Sequence, residues 1–159
     1  MLLRRPGESV LSGSIRYDVE QITLMALFGK YLSAIRLGDL MQRLGRKEMP
    51  AVVKSDDVDF RSQEVGDMSI AWVQLAAGTD LRPALVGLDD DRCQCPHWGY
   101  MLRGQLRMHT ADGEHTFSAG DAFYWAAGHA PEALTDCEYI DFSPTAELKP
   151  VLDHITGGG

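Results

Sequence analysis

The sequence predicts a mainly β protein, a small barrel or sandwich of short antiparallel strands with a helical segment at each end. Three observations carry this prediction. Short β-like segments follow one another at hairpin spacing from Met68 to Phe142, separated by turn residues. Apolar residues recur at helical spacing in the first fifty residues, and again in the last fifteen. Many short strands with regular turns are typical of a sandwich or small barrel.

Composition limits the partners and the location of the protein. The chain has 159 residues, enough for one domain with a core that needs no disulfide bonds. Its formal net charge of -8 repels nucleic acid and anionic membranes, so we expect neither as a partner. The apolar stretch at residues 22–28 is too short to span a bilayer. Three cysteines, an odd count, and the lack of an export signal predict a cytoplasmic protein.

The first fifty residues predict a helical extension. An amphipathic helix is expected over residues 19–37, and a second short helix begins at Asp39 and stops at Gly45. The apolar stripe of the first helix consists of Leu24, Leu27, Phe28, Tyr31, Leu32 and Ile35. The stripe either packs on the sheet of its own subunit or forms a homodimer, and the sequence leaves both open. We therefore divide the chain into a helical extension at 1–50 and a β-barrel with a C-terminal helix at 51–159.

The remaining elements follow in chain order. A strand at 68–76 is rich in apolar residues and is ended by Gly78. Further strands are predicted at 84–88, 96–102, 105–110, 115–117, 121–125 and 137–142, with turns such as Arg103-Gly104 and Asp112-Gly113 between them. Ser143-Pro144 then starts a C-terminal helix that ends in the glycine tail.

Residues 93–97 and His129 form a candidate metal site. Cys93, Cys95 and His97 alternate, so they face one side if the segment is a strand. A later hairpin can return His129 to the same place. Thiolates and imidazoles are the ligands that zinc prefers, and our favoured set is Cys95, His97 and His129 with Cys93 as a possible fourth. Three ligands leave a position open for water or substrate, whereas four make a closed structural site. The alternative is a metal-free core in which these side chains only pack.

The order of these residues resembles the cupin family over residues 66–143. The first cupin motif has two histidines separated by one residue, then a glutamate, six residues and a glycine. Counting back from Gly104, His97 falls at the glutamate, Cys93 at the second histidine and Asp91 at the first.

The second cupin motif runs from a glycine through a strand to Pro-x-Gly and a further histidine. Gly120, Asp121 and Gly128 match it, and Ala126 replaces the proline. His129 directly follows the glycine, whereas Pro131 holds the usual position of the histidine. More narrowly, the chain looks like small bacterial single-domain cupins without an assigned reaction. The resemblance implies a jelly-roll barrel, also called a double-stranded β-helix, and a small-molecule ligand.

Three functions remain open from the sequence. The first is a cupin that binds a divalent metal ion, zinc most favoured, and a small organic molecule in its barrel. The second is an iron-dependent oxidoreductase of the cupin dioxygenase type, against which the missing histidine and glutamate ligands count. The third is a non-catalytic sensor whose thiolates release zinc on oxidation. Whether the protein catalyses a reaction is left open.

Several other residues receive structural interpretations. Cys137 is expected to pack in a late strand. Glu114 and Glu132 are expected to be solvated, and His109 points inward only in one of two strand registers. The aromatic residues Trp98, Tyr100, Tyr124 and Trp125 fall at mixed parity, so some are expected to line a pocket and others to cover the outside.

Overall fold

The protein was analysed as a computed structural model that describes residues 41–157. Nine strands and two α-helices form this part of the chain. The elements are β1 (Ala51–Lys54), β2 (Val58–Val65), β3 (Met68–Leu75), α1 (Arg82–Leu85), β4 (His97–Arg103), β5 (Gln105–Thr110), β6 (Gly113–Ser118), β7 (Ala122–Trp125), β8 (Ala130–Ala133), β9 (Cys137–Pro144) and α2 (Thr145–Ile155), with a 3₁₀ turn at Asp89–Asp91 between α1 and β4.

The strands form two antiparallel sheets. The larger has the order β1-β2-β3-β9-β4-β7 and the smaller the order β6-β5-β8. Strand β9 lies between β3 and β4, so that Asp141 is opposite both Ala71 and Gly99. This insertion of the last strand between two earlier ones is a jelly-roll arrangement, and the prediction of a mainly β jelly-roll with a C-terminal helix is confirmed.

The core lies between the two sheets and follows from the period-two pattern of their strands. In β3, alternate residues Ala71, Val73 and Leu75 are buried while their neighbours are partly exposed. The smaller sheet contributes Leu106 and Met108 from alternate positions of β5. Because the inward faces of both sheets are apolar, they close on one another and exclude water.

The outer face of the larger sheet carries a group of aromatic side chains. Trp98, Tyr100, Tyr124 and Phe142 are all more than two-fifths exposed, whereas Trp125 faces the core and is 4% exposed. Trp98 lies opposite Tyr124, with ring centroids 5.1 Å apart. The predicted division of the aromatic residues between an inner and an outer surface is therefore confirmed.

The predicted strands differ from the observed ones in instructive ways. Strand β5 has the predicted bounds, and the strand predicted at 68–76 ends one residue earlier. The strand predicted at 84–88 is wrong, because α1 occupies this region with Pro83 in its first turn, where a missing N–H costs nothing. Strand β2 was not predicted as a separate element, since buried polar residues such as Asp59 and Ser62 obscure its alternation.

Most of the predicted N-terminal extension lies outside the described residues. The helix at 19–37 falls entirely within residues 1–40, as does the start of the second predicted helix. Residues 41–45 carry no helical turn, so the described part of the second helix is not helical. Instead, the chain turns at residues 46–48, where Glu48 N donates to the carbonyl of Gly45 over 2.9 Å.

Helix α2 packs against the barrel through one face. Leu148 and Val151 are buried, and the Thr145 and Ser69 hydroxyl oxygens lie 2.9 Å apart at the start of the helix. Near the end of α2, the Nε2 of His154 lies 3.0 Å from the Val86 carbonyl oxygen. Within residues 41–157, no helix has the length and apolar character needed to cross a membrane.

Asp59 fastens the chain before β1 to the sheet. Its carboxylate is 8% exposed and accepts hydrogen bonds from Lys54 Nζ at 3.0 Å, Arg61 Nε at 2.9 Å and Arg46 at 3.3 Å. Burial acts to raise the pKa of Asp59, but these hydrogen bonds outweigh it and hold the pKa below its ordinary value of 3.8. Because the folded-state pKa is depressed, the interaction stabilises the fold above that value and is lost as the pH falls through the folded-state pKa.

We therefore expect Asp59→Asn to lower the free energy of unfolding by about 1.5–3 kcal/mol at pH 7, the range for hydrogen bonds to charged groups. The difference from the parent protein should shrink as the pH falls below 3.8. Urea denaturation at several pH values measures both effects. The exposed Asp56→Asn serves as the control, and an equal loss in both variants would contradict the assignment.

Candidate metal centre

Three buried side chains meet inside the barrel: Cys93, His97 and His129, which we call the triad. One ligand atom from each lies within 4.8 Å of the other two. Cys93 Sγ is 3.4 Å from His97 Nε2, and the two imidazole centroids are 5.0 Å apart. None of the three residues is more than 7% exposed. Within residues 41–157, the triad is the group of side chains whose geometry can hold a metal ion.

A backbone bridge brings Cys93 and His129 together. Cys93 N donates to the His129 carbonyl over 2.8 Å, and Gly128 N donates to the Cys93 carbonyl over the same distance. Gly128 has a φ of +89°, a conformation that L side chains rarely adopt. His97, the first residue of β4, is held opposite Trp125 of β7, which lies four residues before His129. The loop before β4 therefore contributes Cys93 to the triad, β4 contributes His97, and the segment after β7 contributes His129.

The loop before Cys93 is fixed by its own hydrogen bonds. Asp91 accepts from Gly87 N at 2.7 Å, and Gln94 Nε2 donates to the Asp89 carbonyl over 2.7 Å. Asp90 and Asp91 have φ values of +54° and +52°, an uncommon conformation for residues other than glycine. Asp91, which aligns with the first histidine of the cupin motif, thus holds the loop and is not part of the triad.

Each histidine uses its Nδ1 atom for orientation. His97 Nδ1 is 2.7 Å from Ser143 Oγ, which itself donates to Asp141 over 3.1 Å. Since the Ser143 proton is directed at Asp141, its oxygen accepts from His97 Nδ1–H. His129 Nδ1 donates in the same way to the Ala126 carbonyl. In metal sites such contacts fix the tautomer and leave the other nitrogen for the ion, and here that atom is Nε2 in both rings.

The residues of the triad also shift one another's pKa values. Burial acts to raise the pKa of Cys93, but hydrogen bonds from His129 and His97 overcome it and lower the pKa to about 6. Burial acts to lower the pKa of His97, but the interactions with the Asp141 carboxylate, 3.8 Å from Nδ1, and with Cys93 outweigh it and raise the pKa to about 9. Both shifts favour the charged forms, the Cys93 thiolate and the His97 imidazolium.

Cys95, a member of the favoured ligand set, does not join the triad. The alternation that grouped it with His97 requires a continuous strand, but β4 begins only at His97. Pro96, the residue directly before β4, has no N–H to donate to a sheet. Cys95 is fully buried with its Sγ 3.4 Å from the Pro96 carbonyl, and it packs with Leu85 and other apolar residues. Burial raises its pKa to about 12.

A cavity of about 240 Å³ lies beside the triad. Cys93, His97 and His129 line it together with Trp125, Tyr139 and Asp141. Its other walls are apolar side chains from β1, β2, β3, β8, α1 and α2, with Phe60 as the aromatic one among them. The triad is therefore placed where a bound ion can meet a molecule inside the barrel.

Sequence reasoning missed two residues of the site, Asp141 and Ser143. Both are buried on β9, at 3% and 0% exposure, and they lie on the same inward face of the strand as Cys137 and Tyr139. Polar residues at inward positions of an apolar strand were the available signal. Cys137 packs in the core as expected, and burial raises its pKa to about 11.

Glu114 and Glu132, the carboxylates expected to be solvated, lie on the smaller sheet and are not part of the triad. His109 is held between them, with Nδ1 3.2 Å from Glu114 and Nε2 2.8 Å from Glu132. Arg107 lies near both, at 3.4 Å and 3.6 Å. Glu132 is thus paired, and the expectation that it is simply solvated is wrong.

We expect Ser143→Ala to weaken metal binding about 10- to 100-fold, the usual cost of removing a group that orients a ligand. The variant removes the acceptor for His97 Nδ1 and one donor to Asp141. Competition with a chromophoric chelator measures the change. Ser143→Thr retains the hydroxyl and provides the control, and unchanged affinity in Ser143→Ala would contradict the assigned role.

Comparisons with known proteins concern the fold. No protein-family model and no curated protein matches the chain. Ectoine synthase from P. lautus is 12% identical with a TM-score of 0.50, covering 69% of this chain and 85% of that one. An RmlC-like cupin from Shewanella frigidimarina is 12% identical with a TM-score of 0.49, covering 66% and 92%. KdgF from Halomonas sp. is 19% identical with a TM-score of 0.48, covering 66% and 94%. At 12% identity the likeness to ectoine synthase concerns the fold alone, and the two-sheet arrangement agrees with the jelly-roll barrel that the resemblance of the motifs to cupins implies.

Proposed function

We propose that this protein binds a divalent metal ion, zinc in preference to iron, through Cys93, His97 and His129, and holds a small organic molecule beside it. The observation that carries the proposal is that three buried donor side chains meet. The Nδ1 atoms of the two imidazoles among them already make hydrogen bonds. Such prior orientation is typical of metal-binding histidines.

The donor set fits zinc. One thiolate and two imidazoles are ligands that zinc prefers, and zinc sites with three protein ligands keep a fourth position for water or substrate. A bound zinc ion would supply Lewis-acid polarisation of an oxygen atom. The protein's own residues have separate tasks: the triad binds, Ser143 and Asp141 orient His97, and the apolar cavity walls exclude water.

The two alternative functions are less well supported by the same geometry. Non-haem iron oxygenases use two histidines and a carboxylate, whereas the third donor here is a thiolate. Asp141, the carboxylate next to His97, is engaged by Ser143. A thiol sensor needs an accessible thiolate, and Cys93 is only 6% exposed. A reducing compartment such as the cytoplasm suits a site that depends on a thiolate.

Elemental analysis of untagged protein, combined with an oxygen electrode, tests the proposal. We expect stoichiometric zinc and no oxygen consumption. Stoichiometric iron with oxygen consumption would favour the oxidoreductase instead. Protein that holds no metal, even after incubation with excess zinc followed by desalting, would overturn the proposal.

A further inference from the structure

We propose that the cavity takes a compact, mostly apolar molecule with a single polar head group, which enters between α1 and α2 and turns its head towards the triad. The position of the head rests on the proposed metal function. The apolar body and the entrance rest on the cavity itself and can be tested without the ion.

The distribution of polar groups in the cavity gives the chemical class of the ligand. Polar side chains lie together at one end, where the triad and Asp141 line the wall. The remaining walls are apolar, with residues such as Val73, Leu75, Leu85 and Val151. A polyol or sugar phosphate would leave hydroxyl groups unpaired against these walls, which is unfavourable in a low-dielectric site. A molecule with one polar end and an apolar body places no unpaired hydroxyl group against these walls.

The size of the cavity limits the body of the ligand. Its volume is about 240 Å³. An engineered apolar cavity of about 150 Å³ already accommodates benzene, so a single ring with a short substituent fits here. Trp125 lines the cavity beside the triad, where it stacks on Phe123 with centroids 3.7 Å apart and meets Tyr139 edge-on at 5.2 Å, so its ring is held by its neighbours.

The exposure of the lining residues places the entrance. Ala84 of α1 is the lining residue that is exposed. Leu152 and Ile155 of α2 are half-buried, as are Val53, Val58, Phe60 and Leu81. The triad and Asp141 at the other end are buried. The cavity therefore opens at the surface between the two helices, and its closed end is at the triad.

Isothermal titration of the full chain with four probes tests the class of ligand: benzoate, toluene, benzylamine and glucose 6-phosphate. For zinc-loaded protein at pH 7 we expect benzoate to bind at least about tenfold tighter than glucose 6-phosphate, which lacks an apolar body, or benzylamine, whose protonated amine has no lone pair for the ion. Toluene should bind whether or not zinc is present. Tighter binding of glucose 6-phosphate than of benzoate would overturn the inference.

Two tryptophan substitutions test the entrance. Ala84→Trp narrows the opening without disturbing a buried side chain, and should weaken binding of benzoate and toluene about tenfold or more. Val86→Trp is the matched control, because Val86 is exposed near the same helix but does not line this cavity. Equal effects of the two substitutions, or no effect of either, would overturn the proposed position of the entrance.

The outcomes separate the two proposals. Toluene binding that responds to Ala84→Trp in a protein that holds no zinc supports the cavity and its entrance while the metal function fails. Bound zinc without binding of toluene or benzoate supports the metal function and overturns the apolar ligand.

Discussion

Cys93→Ser is expected to abolish stoichiometric zinc binding, whereas Cys95→Ser is expected to retain it. The two cysteines are separated by one residue, yet only the sulfur of Cys93 lies within 4.8 Å of ligand atoms from both histidines. A serine hydroxyl is a poor substitute for a thiolate at a zinc site, because the thiolate supplies the charge and softness that zinc favours. Metal content after desalting, measured by elemental analysis, gives the result directly.

Cys95→Ser is a sensitive control because it changes the same atom type in the same loop. The hydroxyl of the variant has an acceptor available, since the Cys95 sulfur lies 3.4 Å from the Pro96 carbonyl oxygen. Circular dichroism verifies that both variants fold. Loss of zinc in Cys95→Ser with retention in Cys93→Ser would contradict the observed triad and restore the ligand set favoured by strand alternation.

Gly104→Ala is expected to lower the free energy of unfolding by more than about 3 kcal/mol, the sum of a left-handed conformation and an overpacked contact. Gly104 turns the chain between β4 and β5 with a φ of +76°. A Cβ atom there would lie 2.1 Å from the Asp136 carbonyl oxygen and 2.8 Å from the Cys137 Cα. Because both are backbone atoms, relief requires β9 to move away from β4. Urea denaturation measures the loss.

Gly66→Ala separates the two contributions. Gly66 also has a positive φ, +62°, but an added Cβ would meet nothing within 4 Å. It should therefore cost only about 1–2 kcal/mol, the price of the left-handed conformation alone. Equal losses in the two variants would show that the close approach at Gly104 is relaxed at no cost.

The fold was predictable because local and long-range signals agree in the second half of the chain. Strand β5 lies between two turns whose residues, Gly104 and Gly113, both adopt positive φ, so its bounds were visible in the sequence. The strand predicted at 84–88 was wrong because a short apolar run has the same composition in a strand and in a helix. The structure places α1 in contact with the C-terminal helix, and local composition does not encode a contact between such distant segments.

The candidate site was predictable in composition but not in detail. Strand alternation placed Cys93, Cys95 and His97 together, and that rule holds only where strand geometry is continuous. The chain leaves strand geometry before His97, and the backbone bridge from Cys93 to His129 then selects between the cysteines. No local pattern encodes a bridge between residues thirty-six positions apart. The same is true of Ser143, whose role depends on β9 lying beside β4.

X-ray absorption spectroscopy at the zinc edge tests the central claim most directly, because it counts the sulfur and nitrogen ligands of the ion. For zinc-loaded protein we predict one sulfur at about 2.3 Å and two imidazole nitrogens at about 2.0–2.1 Å, with a light atom in the fourth position. Two sulfurs in the first shell would show that Cys95 joins the site, and a shell without sulfur would show that the ion binds elsewhere. Either result would contradict a centre built from Cys93, His97 and His129.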